Sequence, residues 1–159
     1  MIKLTKLVYL ASAYTYKQGD TRTRARVQKL RYQDVTKAAG ILTDRYGYAF
    51  ILPITQSYQL AQYMKKRDGE FKAWETIDLT FISKCDEVWV YMNDGWKESV
   101  GVRAEIEFAH EIGTPVRYIN PQTLRFKKSI QTYFELVNLE SRSILKIKDI
   151  TNDTIGETK

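Results

Sequence analysis

The sequence predicts an open α/β fold in which a mainly parallel sheet is covered by helices on both faces. Three observations carry this. Short apolar runs rich in β-branched and aromatic residues recur at 7–11, 48–52, 88–92 and 116–119, the pattern of strands buried on both faces. Longer segments with apolar residues at helical spacing stand between them. Strand and helix therefore alternate, which implies parallel neighbours joined by crossovers.

Composition sets the outer bounds. A chain of 159 residues that is 43% hydrophobic suits one globular domain, expected over 1–150, with a frayed tail at 151–159. No apolar run approaches the roughly 20 residues that a membrane-crossing helix needs. Residues 1–6 lead directly into the first strand and do not read as a signal peptide. With one cysteine and one histidine, an internal disulfide and a zinc site are both excluded, and no cofactor or metal is expected. A cytoplasmic location is the simplest reading. The net charge of +6 and pI near 9.3 permit phosphate binding. Basic residues are spread along the chain without forming one tract, so charge is a weak indicator of nucleic acid, and a small anionic ligand fits it equally well.

In order, the first strand, 7–11, runs into a polar loop, 12–21, with a turn at Gly19 and Asp20. Thr21 or Thr23 opens a long helix bearing Val27, Leu30, Val35, Ala38 and Ala39, and Gly40 lies towards its end. The second strand, 48–52, is ended by Pro53, with a polar-tipped loop at 54–57 and a short helix over 58–66. Asp68 and Gly69 break that helix, and 70–84 forms the next, with Trp74, Ile77, Phe81 and Ile82 on its apolar face. Asp78 borders that face without belonging to it. The fourth strand, 116–119, precedes a last helix at 127–140, and 145–150 reads as an edge strand or an arm on another subunit.

The chemistry concentrates in 85–109. The strand 88–92 stops at a polar loop with Asn93, Asp94 and Gly95, and Ser99 then caps a helix carrying Val102, Ile106, Ala109 and Ile112. Gly113 and Pro115 end it. Open α/β folds bind ligands at such strand–loop–helix junctions, where backbone amides face the crevice. Glu105 lies about one and a half turns inside that helix. If the carboxyl ends of the strands converge, Glu105, Asp78, Tyr9 and Ser99 share one crevice. Two carboxylates at one glycosidic carbon are the arrangement for cleaving an acetal-like bond. Taken singly, each residue has a plainer role: a solvated charge for Glu105 and Asp78, core for Tyr9, a cap for Ser99.

Together Tyr9-Leu10-Ala11-Ser12, Trp74 with Asp78, Cys85-Asp86 before a hydrophobic strand, and Gly95-Trp96 through Ala109 resemble the nucleoside 2-deoxyribosyltransferase superfamily. The likeness covers about residues 6–120. It is nearest to small, often phage-encoded members and to the 2-deoxynucleoside 5-monophosphate N-hydrolase branch. The resemblance implies a flavodoxin-like or Rossmann-like three-layer sandwich with about five strands, and a covalent 2-deoxyribosyl intermediate on a helix glutamate. It places the nucleophile on Glu105, the orienting tyrosine on Tyr9 and the base-contacting aspartate on Asp78. Ser99 stands where the transferases carry aspartate and the hydrolases a phosphate-binding serine, and Gly101 matches the glycine beside it. Ser12, Gly95 and Trp96 fall at substrate-binding positions, with Arg22 and Arg24 as phosphate contacts by charge and position.

The expected activity is thus cleavage of the N-glycosidic bond of a 2-deoxynucleoside 5-monophosphate or a related nucleotide or nucleoside, by hydrolysis or transfer, in a homo-oligomer. A non-catalytic nucleotide-binding module and a basic accessory protein for nucleic acid are the alternatives.

Overall fold

The computed structural model describes residues 4–64 and 71–127. The helix expected at 127–140, the strand or arm at 145–150, the tail, and the break at Asp68 and Gly69 fall outside this range. The first strand, β1 (Leu7–Ser12), leads into α1 (Thr21–Tyr46). Next come β2 (Ala49–Ile51), α2 (Pro53–Leu60) and α3 (Phe71–Ile82). Then follow β3 (Glu87–Tyr91), α4 (Val100–Glu111) and β4 (Val116–Ile119). The strands form one parallel sheet in the order β2-β1-β3-β4. The flavodoxin-like three-layer architecture is therefore present, with four strands among the described residues where about five were expected.

Alternate residues of each strand serve opposite helical layers. Val8 and Leu10 of β1 and Trp89 and Tyr91 of β3 pack with Val35, Ala38, Ala39 and Leu42 of α1. The Trp89 indole is the hub of this layer, meeting Phe50 at 5.2 Å and Phe126 at 4.7 Å in edge-on contacts. Tyr9 points to the other layer, where its hydroxyl reaches α4. At the amino end of the sheet, Glu87 is buried between Lys6, Arg117 and the Trp89 indole N–H. A charge there is tolerated because it is paired.

The long helix opens at Thr21, as expected, behind an Asp20 cap that accepts from the Thr23 amide at 2.7 Å. Three other local expectations change. That helix runs through Gly40 to Tyr46 and ends at Gly47, whose φ of 64° supplies the left-handed residue of a C-terminal cap. Leu42 is fully buried, and burying it offsets the roughly 1 kcal/mol cost of a helical glycine. Leu30, expected on the apolar face, is exposed. Finally, α2 begins at Pro53, where a loop was expected, since proline suits the first helical position as well as it ends a strand.

Candidate active site

The chain enters β1, passes to β2 on one side, and returns through β3 on the other, so the carboxyl ends of β1 and β3 form the switch point of the sheet. Ser12 and Tyr91 are register partners at that edge. The loops leaving the two strands separate there, and Asn93 holds them together. Its side-chain carbonyl accepts from the Ala13 amide at 3.0 Å and its side-chain amide donates to the Ala13 carbonyl at 2.8 Å. This side chain acts as one more rung of the sheet.

A cavity of about 370 Å³ opens above this edge. Ser12, Tyr14 and Thr15 come from the end of β1 and its loop, Gln28 from α1, and Pro53, Ile54, Ser57 and Tyr58 from α2. Trp74 and Asp78 of α3 face Ser99, Gly101, Val102 and Glu105 at the start of α4. A second cavity of about 590 Å³, lined by Lys17, Arg31, Gly95 and Glu98, shares Thr15, Ser99 and Gly101 with the first.

Glu105 lines the first cavity yet is only 5% exposed. The Tyr9 hydroxyl, itself buried, donates to its Oε1 at 2.7 Å. Its Oε2 is buried with no hydrogen-bond partner. Helical spacing explains the placement: Val102, Glu105, Ile106 and Ala109 are the buried residues of α4, so the carboxyl lies within the inward stripe. Burial pushes Glu105 up to about 8, opposed by the Tyr9 hydrogen bond and reinforced by the charge of Asp78. The Tyr9 phenol is driven well above its usual value by burial first, then by Glu105 and Asp78.

Asp78 is 7% exposed. It sits in the buried stripe of α3, one turn before the buried Ile82, where the sequence reading had it only bordering that stripe. Burial alone pushes it up to about 7. The reason is the docking of α3 against α4, which the spacing within α3 does not contain. Burial thus favours the neutral form of both carboxyls, and the Tyr9 hydrogen bond opposes this at Glu105.

Ser99 is the N-cap of α4, its hydroxyl accepting from the Val102 amide at 3.4 Å. The Ser12 hydroxyl is buried without a hydrogen-bond partner at the cavity wall. Gly95 has a φ of 81°, and a Cβ there would lie 2.9 Å from the Arg31 guanidinium. That guanidinium donates to the carbonyls of Thr15 at 2.8 Å and Asp94 at 2.7 Å.

Tyr9, Ser12, Asp78, Ser99, Gly101 and Glu105 thus converge, and Gly95 lines the adjoining cavity. Trp96 lies against Tyr118, with ring centroids 5.7 Å apart, and lines neither cavity. Arg22 and Arg24 are exposed on the first turn of α1 and line neither cavity. Arg31 and Lys17 are the cations beside Ser99, and sequence reasoning missed both. Gln28, Tyr58 and Tyr14 were missed as well. The signal for α1 was available: 24, 28 and 31 continue the stripe of Val35, Ala38 and Leu42 at helical spacing.

Among the described residues, no group of three or more His, Cys, Asp or Glu converges as a metal site requires. None of the described helices is long and apolar enough to cross a membrane. Residues 6–120 match the family described as a domain of unknown function, DUF1937, and the chain belongs to that family. No curated protein matches the chain.

Proposed function

We propose that this DUF1937 member cleaves the N-glycosidic bond of a 2-deoxynucleotide through a covalent glycosyl–Glu105 intermediate. The observation that carries this reading is the buried Glu105 carboxylate, held at Oε1 by Tyr9 and unpartnered at Oε2, facing a cavity it shares with Asp78. A nucleophilic carboxylate needs one oxygen fixed and the other available to the anomeric carbon. In the reactive form, with Glu105 ionised and Asp78 protonated, Glu105 Oε2 forms the bond to that carbon as the carbon–nitrogen bond breaks. The departing base takes its proton from Asp78, whose raised pKa keeps a proton available near neutrality. Water, activated by the Asp78 carboxylate so formed, or a second base then attacks the same carbon and releases Glu105.

The aromatic and amide side chains of Trp74, Tyr58 and Gln28 also line this cavity and suit a flat heterocycle. The 5-phosphate lies at the start of α4, where Ser99 and the amide of Gly101 form an anion seat with Arg31 and Lys17 nearby. The reaction uses no metal or organic cofactor, and we place it in the cytoplasm, in a homo-oligomer. The test is base release, followed by chromatography, from a panel of 2-deoxynucleosides and their 5-monophosphates, with Glu105→Gln as the control. Release by wild type that falls by about 10³-fold or more in the control supports the covalent route. Equal release by both proteins overturns it.

A further inference from the structure

Ser12 carries a hydroxyl that the fold does not use. The residue ends β1 and is 8% exposed, and its Oγ has no hydrogen-bond partner among the described residues. On either side, Ala11 and Ala13 bury only methyl groups, so nothing in the local pattern calls for an oxygen. A buried hydroxyl left unpaired destabilises the folded state, and such groups are few in native proteins. Ser12 lines the first cavity, as does Glu105, whose Oε2 is also buried and unpartnered. Two unsatisfied atoms at one cavity point to one ligand that engages both.

The sheet order fixes which part of that ligand meets Ser12. β1 lies between β2 and β3. β2 runs directly into α2, which brings Tyr58, and β3 leads through its loop to α4, which brings Ser99 and Glu105. Ser12, at the carboxyl end of the middle strand, therefore stands between the aromatic side and the anion seat. In a nucleotide the sugar joins base to phosphate, so the sugar lies over this strand end with its anomeric carbon at Glu105. A 2-deoxynucleoside 5-monophosphate has one free hydroxyl on its ring, at carbon 3.

We propose that Ser12 is a specificity-determining residue that hydrogen-bonds the 3-hydroxyl of the sugar and restricts the site to nucleotides whose 3-oxygen is unsubstituted. The assignment rests on the nucleotide reading of the cavity. Two hydroxyls suit the place, since each both donates and accepts and neither brings charge. A 3-phosphate, or the 3-linkage of a polynucleotide, sets a bulky anion against a buried wall close to the Glu105 carboxylate and is excluded.

The test has a binding arm and a kinetic arm. The binding arm uses Glu105→Gln, which leaves nucleotides intact, and measures Kd by calorimetry for three ligands on each of the four common bases. These are the 2-deoxynucleoside 5-monophosphate, its 2,3-dideoxy analogue and the 3,5-bisphosphate. Loss of the 3-hydroxyl weakens binding about 10- to 100-fold, because Ser12 is again left unpaired, and the bisphosphate binds no better than the dideoxy analogue. With Ser12→Ala added, both partners are absent and the dideoxy penalty shrinks to within about 3-fold. The kinetic arm repeats the comparison as kcat/KM for base release by wild type and Ser12→Ala, where the intrinsic lability of each sugar cancels in the ratio. Ligand-free Ser12→Ala melts no lower than wild type, since no protein group loses a partner.

An equal dideoxy penalty with and without Ser12, no penalty at all, tight binding of the bisphosphate, or no binding of any ligand overturns the proposal. A marked drop in the melting temperature of ligand-free Ser12→Ala also overturns it, because the hydroxyl then serves the fold. If base is released and Ser12→Ala leaves the sugar preference unchanged, the Ser12 assignment fails while the glycosidase reading stands. If the binding arm gives the expected pattern and wild type releases no base, the assignment stands and the catalytic reading fails.

Discussion

Tyr9 and Glu105, 96 positions apart in the chain, meet in a buried hydrogen bond of 2.7 Å between the phenol and one carboxylate oxygen. A neutral donor inside a low-dielectric site favours the charged form of its acceptor. Tyr9 therefore lowers the pKa of Glu105 against the strong upward pull of burial. Tyr9→Phe keeps the ring and removes the donor. The pH profile of base release in wild type is expected to be bell-shaped, with limbs near the values of about 7 and about 8 held jointly by Asp78 and Glu105. In Tyr9→Phe the descending limb, which follows the higher-titrating Glu105, moves to higher pH and the maximum falls by about 10- to 100-fold. An unmoved limb in the folded variant shows that the phenol only packs.

Glu105 also links stability to pH. Its folded pKa lies above the unfolded value of 4.5, so the native state holds a proton that the unfolded chain has lost. Stability is full below pH 4.5 and declines as pH rises through about 8. Glu105→Gln removes this titration. At pH 8.5 its melting temperature should exceed that of wild type by roughly 5 °C or more, and the gap should shrink at pH 5. Scanning calorimetry at the two pH values decides it, a constant gap counting against a buried, protonated Glu105.

Asp78→Asn retains volume and hydrogen-bonding capacity but has no acid proton to give. Since the base needs that proton only as the bond breaks, kcat falls by about 10²- to 10⁴-fold while KM changes little. A purely thermal effect, with kcat intact, would return Asp78 to a structural role.

Ser99→Asp tests the phosphate seat without removing the cap, because aspartate caps a helix as well as serine does. A carboxylate set against the 5-phosphate is a like-charge contact in a partly desolvated place, costing several kcal/mol. Wild type should prefer the monophosphate to its nucleoside, and Ser99→Asp should invert that order in kcat/KM. Equal efficiencies for both substrates in wild type remove the assignment.

Asn93→Ala deletes both bonds to Ala13 and leaves its buried amide and carbonyl unsatisfied. At about 1–3 kcal/mol for each buried group left unpaired, the melting temperature should drop by roughly 5–15 °C. Asn93→Asp keeps the acceptor and should fall between. A melting temperature within 1–2 °C of wild type, within about 1 kcal/mol, shows that the loops do not depend on this rung.

What the sequence by itself determined are the features written in local spacing. The runs at 7–11, 88–92 and 116–119 became strands, Ser99 became the cap of α4, and the helical stripe through Val102 and Ile106 is buried. These depend on neighbours within one or two turns, so periodicity reports them directly. Tertiary structure alone decided the rest. Asp78 is buried because α4 docks across α3, and Gly40 remains helical because Leu42 beyond it fills the core. Arg31 joins the site because α1 turns one side towards the crevice; Arg22 is on the other side, and Arg24, on the same side, lies a turn short of both cavities. The pairing of Tyr9 with Glu105 belongs to both. Each residue was marked by its own motif, but a hydrogen bond across 96 positions exists only once strand and helix pack face to face.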